Sequence, residues 1–161
     1  MSTFNIVNAA GRNQIKFLEE LLAEGADVNE MQEGVSALHA ACANQARESV
    51  EILLRANINV DLQDAEKGQT ALHYCAVYNY LELAKMILAT GAKQNVADNF
   101  GNQPLWAAVF GVKGKSERLA MVELLLQQGA DKNHKNNSGK CPLELAETFK
   151  NEVLVEMLGR Y

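Results

Sequence analysis

Aromatic residues are scarce, 6% of a 161-residue chain, and no stretch approaches the roughly 18 consecutive apolar residues of a membrane-spanning helix. The opening residues, Met1-Ser2-Thr3-Phe4-Asn5, lack the basic and apolar regions of a secretory signal. There are only three cysteines, Cys42, Cys75 and Cys141, an odd and widely spaced set in apolar helical surroundings. They read as small, reduced core residues rather than a disulfide framework, so a cytoplasmic protein is expected. A basic stripe is missing as well. Net charge is −5; residues 1–68 hold 11 acids against 5 bases, while residues 69–161 hold 9 against 10. Nucleic acid is therefore not the expected partner. The acidic half fits a solvated surface, or a basic protein steered towards it.

What the chain does have is repetition. Ser36-Ala37-Leu38-His39 returns 34 residues later as Thr70-Ala71-Leu72-His73, then as Gln103-Pro104-Leu105-Trp106 and Cys141-Pro142-Leu143-Glu144. A second phrase keeps step: Gly25-Ala26-Asp27-Val28-Asn29, Asn57-Ile58-Asn59-Val60-Asp61, Gly91-Ala92-Lys93-Gln94-Asn95 and Gly129-Ala130-Asp131-Lys132-Asn133. A period of about 33 residues means stacked supersecondary units, each burying a face its neighbour supplies.

One unit can be built from its residues. Gly68 supplies a turn, and Thr70 stands where a helix needs an N-cap hydroxyl. Leu72, Cys75 and Ala76 recur at helical spacing, and Asn79-Tyr80 break the helix. A second helix through Leu83, Ala84, Met86, Ile87 and Leu88 ends at Gly91, a residue suited to the left-handed C′ position. In the preceding unit the helices fall near 37–44 and 48–55, with Asn57 in the glycine's place. Residues 1–34 lack the Leu-His phrase and show only the second helix, through Ile15, Phe17, Leu18, Leu21 and Leu22. They read as an N-terminal cap. Residues 140–161 read as the opposite cap, with Leu143, Leu145 and Ala146 followed by Val153, Leu154, Met157 and Leu158. The intervening units span 35–68, 69–101 and 102–139, and the stack is expected to be complete as a single domain.

In these phrases and their period the chain resembles the ankyrin repeat family, over essentially its whole length. The resemblance implies an all-α solenoid of stacked helix-turn-helix units with β-hairpin-like finger loops. It also implies a concave groove that binds a protein partner, no cofactor and no enzyme activity. Groove-facing positions lie near the ends of inner helices and on fingers. In this sequence they are Glu33, Val35, Asn44, Glu66, Lys67, Gln69, Val77, Tyr78, Asn99, Phe100, Asn102 and Phe110, beside Ala43 and Gly111. Tyr78, Phe100 and Phe110 stand out because aromatic anchors carry much interface energy.

Three departures from the pattern bear on function. The step from the closing Asn or Asp to the next glycine is five residues at Asn29–Gly34, seven at Asp61–Gly68 and six elsewhere, so the finger tips should be unevenly aimed. Trp106 replaces the expected histidine and should fill space beside a neighbouring inner helix. Finally, His73 to Met86 is 13 steps but Trp106 to Leu124 is 18, an insertion of about five residues around Gly111-Val112-Lys113-Gly114-Lys115. It reads as an exposed turn between two helices. Gly111-x-x-Gly114-Lys115-Ser116 has neither the spacing nor the preceding strand of a phosphate loop.

Chemistry finds little purchase. His39 lies near Cys42 and His73 near Cys75, but zinc needs three or four convergent ligands, and each histidine already has a post in the repeat phrase. His134 is expected to be exposed. There is no nucleophile elbow and no carboxylate pair in apolar surroundings. The expectation is a monomeric protein-binding module. The alternatives are an inhibitor or immunity-type protein neutralising a basic toxin or enzyme, and a structural assembly or homo-oligomer subunit.

Overall fold

A computed structural model of the chain describes residues 5–113 and 115–161, leaving Met1–Phe4 and Gly114 of the insertion outside the described residues. Five helix pairs follow one another. They are α1 (Ile6–Gly11) with α2 (Ile15–Ala23), α3 (Ala37–Ala43) with α4 (Arg47–Arg55), α5 (Ala71–Tyr78) with α6 (Leu81–Ala89), α7 (Pro104–Gly111) with α8 (Leu119–Gln127), and α9 (Pro142–Thr148) with α10 (Glu152–Arg160). Each inner helix packs on the next inner helix, α1 to α3, α5, α7 and α9, and the outer helices form a parallel, more loosely packed row. Small buried residues such as Ala37, Ala41, Ala71, Ala76 and Ala108 let the inner backbones approach. Between the rows runs one continuous core, built on Leu18, Leu38, Leu53, Leu72, Ile87, Leu105, Leu125 and Leu154.

The first unit departs from the sequence expectation: it carries a complete helix pair, not the second half alone. Asn5 caps α1 by accepting the Asn8 N–H at 2.8 Å, and Ile6, Val7, Ala9 and Ala10 bury against α3. In the last unit Leu154 and Leu158 are buried, but Val153 is exposed.

Turn chemistry sets the helix boundaries. Asn13, Gln45, Asn79 and Lys150 adopt left-handed backbone between inner and outer helix in four of the units. A single residue in that region reverses the chain. Unit four has no such residue among those described; the insertion stands in its place. Gly25, Asn57, Gly91 and Gly129, also left-handed, follow the outer helices as the sequence suggested.

The fingers differ from one another. Only the shortened first one forms a true ladder, β1 (Met31–Gln32) with β2 (Val35–Ser36), registered Met31 to Ser36 and Gln32 to Val35. Glu33 and Gly34 both have positive φ there, as a two-residue hairpin with right-handed strand twist requires. The later fingers are wound around a side chain. Asp64 accepts the N–H groups of Glu66 (2.9 Å), Lys67 (2.6 Å) and Gln69 (3.0 Å). Asp98 accepts those of Phe100 and Asn102, and Asn136 those of Ser138 and Lys140. Successive tips join through Ala65 N–H to the Gly34 carbonyl (2.8 Å), Asn99 to Lys67 (2.8 Å) and Asn137 to Phe100 (3.0 Å). The tips stack so closely that a Cβ on Gly101 (φ 77°) would lie 2.7 Å from the Asn137 backbone nitrogen.

Candidate interaction site

The repeat histidines are structural. His73 Nε2 faces the Asn102 carbonyl at 3.0 Å, and a carbonyl only accepts, so Nε2 carries the proton. Nδ1 is then the acceptor for the Thr70 N–H (3.1 Å) and hydroxyl (2.9 Å), while the Thr70 oxygen caps α5 by accepting the His73 N–H. His39 repeats the arrangement with Ser36 and the Gln69 carbonyl, the latter at 2.8 Å. Each ring thus ties its own helix start to the next finger. Burial lowers both histidines' pKa below the ordinary value of 6.5, opposed more weakly by those carbonyls. The shift favours the neutral form of both rings, as the donor and acceptor roles of their nitrogens require.

Cys42 and Cys75 are buried side by side between α3 and α5. The hydrogen bond with Cys75, then burial, pushes the Cys42 thiol well up, the reverse of what a thiolate nucleophile or metal ligand needs. Among the described residues no three His, Cys, Asp or Glu side chains converge as a metal site, and no helix is long and apolar enough to cross a membrane. His134 is half-buried rather than exposed: its Nε2 meets the Gly101 carbonyl at 3.0 Å and links the fourth finger to the third.

A concavity lies where units three and four meet. A hollow of about 580 Å³ is bounded by α5, α7, the third finger and the insertion. Six of the groove-facing positions named from sequence, Gln69, Val77, Phe100, Asn102, Phe110 and Gly111, line it together. Phe100 and Phe110 are 61% and 60% exposed, so neither is filler between units. Trp106 lines the same hollow, half-buried beside α5. With tryptophan in place of histidine, α7 loses the tie that His39 and His73 provide, and Gln103 instead turns its amide to the Asn95 carbonyl at 3.2 Å. An apolar ring at 106 trades a structural hydrogen bond for a wall of the hollow.

The other sequence candidates lie elsewhere. Tyr78 is exposed but turns away from the hollow, its ring stacked on Tyr80 (centroids 5.5 Å apart) and edge-on to Tyr74. Tyr74 in turn packs against His39, and burial pushes its phenol pKa up to about 12. Glu33 and Val35 line a separate cleft of about 90 Å³ with Val7 and Gln32. Asn44 returns its amide to the Ala40 carbonyl, and Asn99 bridges back to the Glu66 carbonyl at 3.3 Å. Asn44, Glu66, Lys67 and Asn99 are exposed but outside the hollow.

Sequence reasoning missed the cationic rim. Lys113, Lys115 and Arg118 all line the hollow. The insertion is not a free turn: Val112 is buried, Lys115 N–H returns to the Val112 carbonyl at 2.6 Å, and a 3-10 turn (Ser116–Arg118) leads into α8. Arg118 Nη1 donates to the Val77 carbonyl at 2.9 Å, fastening the insertion to the last turn of α5. The signal was present as added length with three cations, but nothing in the spacing says where such a loop folds.

A family profile for ankyrin repeats, in three copies, matches residues 6–98, and a single-repeat profile matches residues 100–137. The E3 ubiquitin-protein ligase KEG of Arabidopsis thaliana is 35% identical over 102 residues, 63% of the chain and 6% of the ligase. An ankyrin repeat protein of fowlpox virus is 26% identical over 157 residues, 93% of the chain and 45% of that protein. The mouse B-cell lymphoma 3 protein homolog is 30% identical over 116 residues, 72% of the chain and 25% of its own length. The chain thus spans less than half the length of each of these relatives.

Proposed function

The chain belongs to the ankyrin repeat family, and we propose from that premise that it binds a protein partner through its concave face, centred on the hollow of unit four. Ankyrin repeats are in general non-catalytic interaction modules, and relatives as different as an E3 ubiquitin-protein ligase and the B-cell lymphoma 3 protein homolog match this chain. The observation that carries the reading is convergence. Phe100, Trp106 and Phe110, from a finger and an inner helix, share one concavity although aromatics are only 6% of the chain. Large, rigid side chains left open to water at the bottom of a groove are the usual makings of an interface hot spot. On this reading the module acts as a monomer in the cytoplasm; the three buried cysteines without a disulfide support the compartment.

Affinity capture from cells of the source organism tests the reading, with wild-type bait beside Phe110→Ala and Tyr78→Ala baits whose folding is checked by circular dichroism. The expected result is a partner retained by wild type and Tyr78→Ala and lost with Phe110→Ala. A partner held equally by all three would put the binding face elsewhere.

A further inference from the structure

We infer, building on the groove reading above, that the hollow of unit four takes an acidic peptide segment bearing one bulky apolar side chain. That side chain packs among Phe100, Trp106 and Phe110 while the flanking carboxylates meet Lys113, Lys115 and Arg118.

The argument rests on where charge gathers. The chain as a whole is acidic, at −5, yet the hollow is rimmed by three cations that form no ion pair among the described residues. Arg118 is half-buried and held in place. One of its five N–H donors goes to the Val77 carbonyl, leaving the rest of the fork available for a carboxylate. Gly111 makes that placement possible: a Cβ there would lie 2.5 Å from Arg118 Nη1. Lys113 is exposed, but it stands 5.6 Å from the Phe149 ring, and Phe149 in turn lies near Phe110, so this cation borders the apolar wall. The one carboxylate in the hollow, Asp98, does not neutralise them. It is nearly buried and accepts the Phe100 and Asn102 N–H groups, both at 2.9 Å.

The insertion supplies Lys113 and Lys115, and the 3-10 turn after it supplies Arg118, so the segment that departs most from the repeat also sets the sign of the site. The expectation of a basic partner came from the acidic balance of residues 1–68, none of which lines the hollow. Complementarity at the hollow itself favours an acidic segment, which the cations would steer and orient. Phosphates could meet the same cations, but a long polyanion would then lie against a chain of net negative charge.

The test is selection of a random-peptide library on the immobilised full chain. Synthetic versions of the enriched peptides are then titrated in solution, read through the emission of Trp106, the sole tryptophan and a wall of the hollow. The expected consensus has acidic residues flanking Leu, Phe or Met, with emission shifting on binding. Affinity should fall by about tenfold or more in a folded Lys113→Glu, Lys115→Glu variant and weaken with salt. A basic or uncharged consensus that still loses binding on Phe110→Ala would overturn this inference and leave the groove reading standing. Peptides bound equally by both variants, or no enrichment at all, would overturn both. Tighter binding of a fluorescein-labelled single-stranded oligonucleotide than of any selected peptide would assign the rim to nucleic acid and also overturn the inference.

Discussion

Units three and four are neighbours built to one template, yet they distribute their polar groups in opposite ways. In unit three, His73 spends both ring nitrogens on scaffold, one on the Thr70 cap and one on the Asn102 carbonyl, and a single left-handed Asn79 turns the chain into α6. In unit four the same positions hold Trp106, which faces the hollow, and an insertion from which Arg118 reaches back to unit three. Residues that fill the scaffold positions of the repeat, such as Thr70, Leu72 and His73, are consumed by packing, while its groove-facing positions Phe100 and Phe110 stay exposed. Residues that break the repeat, Trp106 and the cations that follow α7, join those groove positions on one concavity. Stability and recognition should therefore map to different residues, even within one unit.

The largest effect should come from the regular half. Leu72 is fully buried in α5, and Leu72→Ala should cost on the order of 2–5 kcal/mol in denaturant melts. A loss below about 0.5 kcal/mol would contradict the stack as described. Gly101→Ala comes next, with roughly 1–3 kcal/mol expected from left-handed strain and the clash with Asn137. Since Asn137 belongs to the last finger, the loss should appear first as faster amide exchange in α9 and α10, which checks that fingers as well as helices couple the units.

A smaller effect is set by pH. His39 and His73 have lowered pKa values in the fold, so the folded state binds fewer protons than the unfolded chain. Their contribution is fully present above 6.5 and is lost as pH falls through the lowered folded values. Urea midpoints should drop on acidification across that window, and His73→Gln should flatten the slope. A midpoint that rises on acidification would reverse the assignment of a neutral Nε2–H ring. The smallest change in stability, within about 0.5 kcal/mol, is expected for Phe110→Ala, whose ring is mostly in water. If that substitution unfolds the protein, the division between scaffold and site fails.

Much of this was legible in the sequence for a physical reason: the repeat phrases are the scaffold's own hydrogen-bonding instructions. Thr70 with His73, Asn79, and Gly91 each occupy a position that one conformation satisfies best. α1 was harder to see because Ile6, Val7, Ala9 and Ala10 make a short apolar run without the phrase that marks its counterparts. At the site, Phe100 and Phe110 were found by position in the unit, whereas Tyr78 shares that logic and still turns towards Tyr80. Side-chain direction at a helix end depends on neighbours that repeat arithmetic does not contain. The rim formed by Lys113, Lys115 and Arg118 was hidden for a related reason. An insertion has no counterpart in the other units, so periodicity is silent about its path.

Amide hydrogen exchange of the chain, alone and in complex with the protein that wild-type bait captures, tests the division most directly. Slowed exchange concentrated in residues 98–113 and 115–118 and the last turn of α5, with the outer helices unchanged, is the result predicted. Protection centred on the acidic surface of residues 19–33, or on the outer helices α4 and α6, would contradict it.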